Sequence, residues 1–230
     1  MSSSPLRGIS SMATRQLLAD LAQAWTAHSG QQVAIESVGG VDAAKRVEAG
    51  EAFDVVVLAD DAIGKLAQAG AVSAPSTTAL VRSGVAACVK AGEPLPPFAT
   101  EAQVRQAVLA AHSIGYSTGP SGTALLQLFE RWGVLEQLRP RLVQARAGVP
   151  VGSLVASGEV RLGFQQLSEL IHVQGIGLIG PLPDEIQITT VFSGAVCTRA
   201  TQPGAAADFL RFLASPEAAN AKRQQGMQPA

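Results

Sequence analysis

The stretch Tyr116-Ser117-Thr118-Gly119-Pro120-Ser121-Gly122 lies between an apolar strand and an amphipathic helix. Residues 113–116 are predicted to form the strand, and apolar side chains at helical spacing over residues 123–132 predict the helix. Hydroxyls, glycines and a proline between two such elements are typical of a helix N-terminus. Backbone N–H groups in the first turn have no intrahelical acceptor, and the helix dipole favours negative charge there. The stretch therefore predicts either a small-anion site or an ordinary capped helix start.

Similar strand-to-helix junctions recur in the first part of the chain. Apolar runs at residues 6–10, 33–35 and 54–59 predict strands, and each is followed by helical spacing that ends near a glycine, at Gly30, Gly50 or Gly70. Alternating strands and helices form parallel sheets with helices on both faces. The predicted fold class is α/β with doubly wound sheets.

Two long β-branched runs, at residues 78–90 and 186–197, interrupt this alternation. They predict two lobes joined by two crossing strands: residues 1–80 plus 190–230 form lobe 1, and residues 81–189 form lobe 2. Helical spacing near residues 204–213 and 216–223 predicts two closing helices. Open α/β sheets bind ligands at strand C-termini and helix N-termini, and domain junctions often hold pockets. We therefore expect a ligand between the lobes.

Composition excludes several classes of function. The 230 residues carry a formal net charge of −1 and 4% aromatic residues, so a clustered basic face for nucleic acid is not expected. No apolar run approaches the roughly 20 residues of a membrane span, so membrane insertion is not expected. There is no zinc-ligand spacing and no glycine-rich phosphate loop with lysine, so neither a metal nor another cofactor is expected. We expect a monomer.

The two cysteines and three histidines do not form a recognisable reactive group. Cys88 and Cys197 lie in apolar runs, which favours buried free thiols and leaves a single disulfide as the alternative. The histidines, which are far apart in sequence and predicted to be exposed, are His28, His112 and His172.

The first ten residues contain neither a basic n-region nor an apolar h-region. As the chain stands, the expectation is a cytoplasmic protein. If a signal peptide was removed, the expectation is a periplasmic one.

Several segments in order resemble the molybdate-type solute-binding proteins of ABC transporters, which have the two-lobed type II periplasmic-binding-protein fold. They are Gly8-Ile9-Ser10-Ser11, residues 46–55, Gly119-Pro120-Ser121-Gly122, residues 158–163, Gly180-Pro181-Leu182-Pro183 and residues 212–219. The resemblance covers nearly the whole chain. It implies a small-anion ligand, an ABC permease as partner and cleft closure about hinges near Arg82-Ser83 and Ile188-Thr189.

The family holds its oxyanion with two serine hydroxyls, backbone N–H groups and a tyrosine hydroxyl. The first serine corresponds to Ser10, and the serine cluster that supplies the second is replaced by Gly39-Gly40. The loop N–H donor corresponds to Ser121, a second backbone donor falls near Gly148 or Val149, and the tyrosine position falls on or beside Gln166. The predicted ligand-binding set is completed by Ser11, Ser117, Thr118 and Gln165.

The departures from the family pattern change the expected ligand. Glycine in place of serine removes a donor and opens space, while glutamine offers two N–H donors and an acceptor on a longer arm. We therefore expect an oxyanion or a small organic carboxylate rather than strictly molybdate.

The family is also similar to bacterial aconitate isomerases, which leaves an enzyme as the alternative. Such an enzyme needs a general base tuned near the working pH. The candidates are Asp60, for which a helix N-cap is the commoner explanation, and Glu169, for which capping or a solvent-facing position is the alternative. Arg82 and Lys45 could bind a carboxylate, although solvated surface positions are favoured for both. Catalytic residues stay unassigned, and a cytoplasmic ligand-sensing domain is a third reading.

Overall fold

A computed structural model describes residues 4–230. Its strands are β1 (Leu6–Ser11), β2 (Val33–Val38), β3 (Val55–Ala59), β4 (Thr78–Lys90), β5 (Ile114–Tyr116), β6 (Leu142–Gln144), β7 (Leu162–Gln166), β8 (Ile176–Pro181), β9 (Thr189–Val196) and β10 (Gln228–Pro229). Its α-helices are α1 (Arg15–Ser29), α2 (Gly40–Glu48), α3 (Asp60–Gln68), α4 (Glu101–Ala110), α5 (Pro120–Arg131), α6 (Leu135–Leu138), α7 (Val151–Ser157), α8 (Leu167–Leu170), α9 (Pro203–Ala214) and α10 (Ala219–Gln224).

The chain divides into two compact units. Unit 1 contains the described residues up to Arg82 together with Val191–Ala230, and unit 2 contains Ser83–Thr190. Strands β4 and β9 each pass from one unit into the other.

Unit 1 is built on a sheet with strand order β2-β1-β3-β9-β4, and β10 pairs with β4. Strands β1, β2 and β3 are parallel, whereas β9 runs antiparallel to β3. Helices α1 and α9 cover one face, where Leu18 and Phe209 belong to one apolar cluster. Helices α2 and α3 cover the other face, where Val47 and Ile63 pack in a second cluster. Helices on both faces make this a doubly wound sheet.

Unit 2 repeats this plan on a second sheet. Strand β4 pairs antiparallel with β7 and with β8, and β5 pairs parallel with β7 and β6. Helices α4 and α5 cover one face through residues such as Val108 and Phe129. Helices α7 and α8 cover the other through Val155 and Leu170. The core of unit 2 therefore also lies on both faces of its sheet.

The predicted strand over residues 186–197 was wrong at its start. A 3-10 turn occupies Asp184–Ile186, and the strand begins only at Thr189. The side chain of Gln187 explains the delay, since its Oε1 accepts hydrogen bonds from the backbone N–H groups of Val85 and Ile188, each at 2.9 Å. The Val85 N–H also bonds to the backbone carbonyl of Ile188 at 3.1 Å, so the Gln187 amide adds to the pairing of these two segments before the strand begins.

The structure confirms one predicted helix end and changes another predicted helix. Gly30 ends α1 with φ 76°, a left-handed conformation that glycine adopts without strain. The last predicted helix, at residues 216–223, is instead a 3-10 turn, Pro216–Ala218, followed by α10. Helix α6 and strand β10 were not predicted, because each is too short to show a period.

None of the described helices combines the length and the apolar character that crossing a membrane requires. Cys88 and Cys197 are buried and both are free thiols, which removes the disulfide alternative.

Candidate functional site

In unit 1, two hydroxyls meet where parallel strands β1 and β2 end. The register pairs Ser10 with Ser37 and Ser11 with Val38. The hydroxyl oxygens of Ser10 and Ser37 lie 2.8 Å apart, and Ser10 Oγ also lies 3.3 Å from the carbonyl oxygen of Ser11. Ser37 was not among the site residues predicted from the sequence, although its position on the neighbouring strand at the same edge was the available signal. The strand ends thus form a largely buried polar cluster at the carboxyl edge of the sheet.

Ser11 differs from Ser10 because its hydroxyl has no hydrogen-bond partner among residues 4–230, while the residue is only 8% exposed. Helix α2 begins beside it, since a side chain placed on Gly40 would have its Cβ 3.6 Å from the Cβ of Ser11. The first intrahelical bond of α2 runs from the N–H of Ala43 to the carbonyl of Gly39 at 2.9 Å. The preceding N–H groups of the helix have no intrahelical acceptor. A shielded hydroxyl and free N–H groups therefore converge at Gly39-Gly40.

Asp60 begins α3 near the end of β3 and does not occupy the N-cap position, which belongs to Ala59. Its exposed carboxylate accepts a hydrogen bond of 2.5 Å from the Ser193 hydroxyl. A carboxylate in the first turn of a helix is favoured by the dipole, so its position has a structural explanation.

In unit 2, the loop that leads into α5 is compact. The hydroxyls of Ser117 and Ser121 are 3.2 Å apart, and Ser121 is buried while Thr118 is exposed. Gly122 allows this closeness, because a Cβ there would lie 1.9 Å from the carbonyl oxygen of Ser117. Gly119 precedes the helix, and Pro120 stands in its first turn. The sequence prediction of a helix N-terminus at this loop is confirmed, whereas ligand binding there stays a prediction.

The buried side chain of Gln165 lies between a helix start and a carboxyl group. Its Oε1 accepts a 2.7 Å hydrogen bond from the backbone N–H of Val151, and its Nε2 donates one of 2.7 Å to Oε1 of Glu169. Burial raises the pKa of Glu169 to about 7, and the hydrogen bond from Gln165 acts against that rise. Glu169 can therefore hold or release a proton near neutral pH.

Gln166 is also buried, and its amide is committed to the two crossing strands. With its nitrogen facing acceptors, it donates to the Ser83 hydroxyl at 2.8 Å and to the backbone carbonyls of Ser83 and Gly84 at 3.1 and 3.3 Å. Its oxygen then accepts from the Thr190 hydroxyl at 2.8 Å. These partners satisfy the amide inside unit 2. Thr190 was not selected from the sequence, since nothing local links it to Gln166.

The second predicted backbone donor lies in the loop before α7. Gly148 has φ 77°, and the N–H of Val149 bonds to the carbonyl of Arg146 at 3.0 Å. Val149 itself is 39% exposed. Gly148 and Val149 therefore shape an exposed turn two residues before the Val151 N–H that Gln165 holds.

The remaining candidates for charge or chemistry lie on the surface. Arg82, Lys45 and the three histidines are all exposed. Within residues 4–230, no group of three His, Cys, Asp or Glu side chains could hold a metal ion. The structure thus gathers Ser10, Ser11, Gly39 and Gly40 at one edge of unit 1. In unit 2 it pairs Ser117 with Ser121 and joins Gln165 to the start of α7.

The chain was compared with known proteins by sequence and by structure. A family model described as bacterial extracellular solute-binding protein matches residues 6–228. An aconitate isomerase from a Pseudomonas species is 37% identical over 187 residues, which are 80% of this chain and 70% of that protein. A molybdate-binding protein from Rhodobacter capsulatus is 27% identical over 109 residues, which are 47% of this chain and 43% of that protein.

Solved structures show the same fold. The periplasmic molybdate-binding protein of Azotobacter vinelandii superposes with a TM-score of 0.80 at 21% identity, covering 96% of this chain and 98% of that one. The predicted α/β class, with doubly wound sheets joined by two crossing strands, is confirmed, as is the resemblance to molybdate-type proteins. The chain belongs to the family of bacterial extracellular solute-binding proteins.

Proposed function

We propose that this protein binds a small anion that carries more than one carboxylate group. The observation that supports this most directly is the Ser11 hydroxyl, which is shielded from water and has no partner among the described residues. A buried polar group without a hydrogen bond costs about 1 to 3 kcal/mol, and a ligand oxygen would remove that cost. The free N–H groups at the start of α2 add donors without burying a counter-charge.

Two features favour a carboxylate over a compact oxyanion such as molybdate. Gly39-Gly40 stands where the molybdate-type family carries serine, so one hydroxyl donor is absent and room is gained beside Ser11. The 37% identical relative is an aconitate isomerase, and aconitate is a tricarboxylate. A longer, branched anion suits a site with donors spread over strand ends and helix starts.

The proposed role is delivery of this anion to an ABC permease, with the protein acting as a monomer. Delivery of that kind requires a binding protein outside the cytoplasmic membrane. Fractionation of cells that express the native gene would show which compartment contains the protein. Recovery only from the cytoplasm would contradict a transport role.

Calorimetric titration with trans-aconitate, citrate, sulfate and molybdate tests the ligand class. We expect a tricarboxylate to bind more tightly than either inorganic anion. Tight binding of molybdate without measurable binding of any carboxylate would overturn the proposal.

The variant Ser11→Ala tests the observation itself. Its affinity for the carboxylate should fall about tenfold, which is the effect of losing one hydrogen bond of roughly 1.4 kcal/mol. Its unfolding free energy should be unchanged or slightly higher, since none of the residues that the structure describes loses a bond. Ser29→Ala, which removes an exposed hydroxyl at the end of α1, is the matched control and should leave affinity unchanged.

A second candidate function is isomerisation of the bound carboxylate. The identity to an aconitate isomerase favours it, and Glu169 has a pKa of about 7, which suits a general base. Such a base would remove a proton from a carbon beside the double bond, and the proton would return at the other end of the allylic system. NMR of trans-aconitate in D₂O with the protein should show deuterium incorporation. Exchange no faster than in buffer would contradict this candidate.

A further inference from the structure

The turn between β2 and α2 places apolar side chains on both sides of a glycine pair. Val38 is half-buried at the end of β2, where the register pairs it with Ser11, and Val41 stands in the first turn of α2. Gly39 and Gly40 lie between the two valines. Val41 is 53% exposed, and no large apolar side chain in the described part of the chain is more exposed. Its surface is therefore available to a bound molecule.

The side chain of Val41 covers the entrance of α2. In an α-helix each Cα–Cβ bond tilts towards the N-terminus, so a side chain covers the surface of the turn that precedes its own Cα. The N–H groups of Gly40, Val41 and Asp42 lie in that turn, before the first intrahelical bond, and have no intrahelical acceptor. No side chain of the described residues caps the helix. Apolar surface and unpaired donors therefore lie within one turn of each other.

Gly40 leaves open space beside Ser11. Apart from the helix's own nearby backbone and the two neighbours in the chain, the one atom of the described residues within 4 Å of a Cβ placed on Gly40 is Ser11 Cβ, at 3.6 Å. The backbone of Ser11 is held in place, because its carbonyl oxygen accepts a hydrogen bond of 3.2 Å from the buried Thr14 hydroxyl. Ser11 precedes the 3-10 turn Met12–Thr14, yet its hydroxyl caps no N–H group of that turn. The residue is thus fixed while its hydroxyl stays unused.

We propose that Val41 is a specificity-determining residue of unit 1: one carboxylate of the ligand binds at Ser11 and the unpaired N–H groups of α2, and the ligand's carbon chain lies against Val41. This inference rests on the proposed binding of a small carboxylate. Sulfate and molybdate present oxygen on every side, so neither gains from an apolar neighbour. An organic acid removes apolar surface from water when its carbon chain covers Val41, which favours it over either inorganic anion.

Calorimetric titration of the intact chain with trans-aconitate tests the role of Val41. The affinity of Val41→Ala should fall about fivefold, which corresponds to roughly 40 Å² of apolar surface left in contact with water. Val41→Ile keeps an apolar side chain and should stay within about twofold of wild type. A single exposed apolar residue is ordinary on a protein surface. Leu95→Ala is therefore the matched control, since Leu95 is also 53% exposed but lies in unit 2, and its affinity should equal that of wild type.

Gly40→Ala tests the space that the ligand is proposed to occupy. Gly40 does not have a positive φ, so alanine fits its backbone, and the new methyl group fills the space beside Ser11. Affinity for trans-aconitate should fall by about tenfold or more. The unfolding free energy should be unchanged or higher, because alanine is favoured over glycine in a helix. Gly64→Ala in α3 makes the same exchange away from Ser11 and should leave affinity unchanged.

NMR supplies a direct readout of the contact. The methyl signals of Val41, identified by their loss in Val41→Ala, should show nuclear Overhauser effects to the carbon-bound protons of trans-aconitate. Equal affinity of wild type and Val41→Ala, full affinity of Gly40→Ala, or no such effects in the saturated complex would overturn the inference and leave carboxylate binding intact. If wild type bound neither trans-aconitate nor citrate, the proposed function would fail, and this inference with it.

Discussion

Two carboxyl groups, that of the buried Asp54 in unit 1 and that of the half-buried Glu169 in unit 2, have opposite pKa shifts. Asp54 is 2% exposed, and its carboxylate accepts hydrogen bonds from the backbone N–H groups of Arg7, Thr201 and Gln202 at 2.9, 2.7 and 3.1 Å. Burial acts to raise its pKa, but these donors together outweigh burial and leave the pKa lowered. Glu169 has one side-chain donor, Gln165, and burial prevails, so its pKa is raised to about 7.

The number of donors around each carboxyl group explains the difference. Several N–H groups that point at an oxygen replace the water that burial removes, and the charged form is kept. A single donor does not replace that water, so burial favours the neutral form of the carboxyl group. Asp54 therefore joins the start of β3 to the loop before α9 as a permanent charge, while Glu169 is free to change its protonation state near neutral pH.

The largest effect is expected from Asp54→Ala, which removes the acceptor of that network. Three backbone N–H groups and the Thr201 hydroxyl lose their partner, and unfolding free energy should drop by about 4 kcal/mol. Urea denaturation followed by circular dichroism measures the change. Asp61→Ala, an exposed first-turn aspartate of α3, is the control and should cost less than about 1 kcal/mol. Similar losses in both variants would show that the network around Asp54 contributes little.

The same network predicts acid sensitivity. The folded-state pKa of Asp54 lies below its ordinary value of 3.8, so its contribution is present above that value and is lost as the pH falls through the lowered pKa. Wild type should therefore lose stability below pH 3.8 more steeply than Asp54→Asn does.

Gly122→Ala tests how tightly the α5 loop of unit 2 is built. The added Cβ would lie 1.9 Å from the Ser117 carbonyl oxygen, so the loop must move, at a cost of about 2 to 3 kcal/mol. The matched control is Gly64→Ala in α3, where the new Cβ would have no atom of the described residues within 4 Å apart from the helix's own nearby backbone and its two neighbours in the chain. That control should gain about 0.5 to 1 kcal/mol from helix propensity. If the unfolding free energy of Gly122→Ala equalled that of wild type, the Ser117–Ser121 hydroxyl pair would not depend on the close approach of residue 122 to the Ser117 carbonyl.

The raised pKa of Glu169 predicts a smaller, opposite pH effect on stability. Its folded-state pKa of about 7 exceeds the ordinary value of 4.5, so the folded protein binds more protons in that interval. Stability should therefore fall by about 2 kcal/mol as the pH rises from 4.5 through 7, after an allowance for partial exposure. Glu169→Gln should lack this decline when unfolding free energies are measured at constant ionic strength. If the unfolding free energies of wild type and Glu169→Gln changed with pH in parallel, the Glu169 carboxyl would be hydrated in the folded protein and its pKa would not be raised.

The two thiols, one in each unit, provide the smallest expected difference. Burial raises the pKa of Cys88 and of Cys197 to about 12; the nearby charge of Asp54 adds to the rise at Cys197. Neither thiol has a set of donors like that of Asp54, so neither unit should react with a thiol reagent at pH 8. Both cysteines should be modified after denaturation in urea. Selective modification of one native cysteine would show that the two units differ in local opening.

Much of the fold could be predicted from local sequence patterns. Apolar runs followed by helical spacing located β1, β2 and β3 with the helices after them, because those periods reflect which face of each element is buried. The loop at Ser117-Ser121 was also recognisable, since hydroxyls, glycines and proline at a helix start have local causes. The start of β9 was not, because the hydrogen bonds of the Gln187 side chain to the backbone N–H groups of Val85 and Ile188 leave no mark in the local pattern.

By itself, the sequence determined the α/β class, the two crossing strands and the residue types available at each strand end. Only the tertiary structure decided which of those polar groups are already satisfied. Gln166 bonds to partners that its own segment does not contain, Asp54 accepts from Thr201 at a separation of 147 residues, and the Ser11 hydroxyl finds no partner among residues 4–230. Periodicity is a local property of the chain, whereas hydrogen-bond satisfaction and pKa depend on donors that folding brings from distant segments.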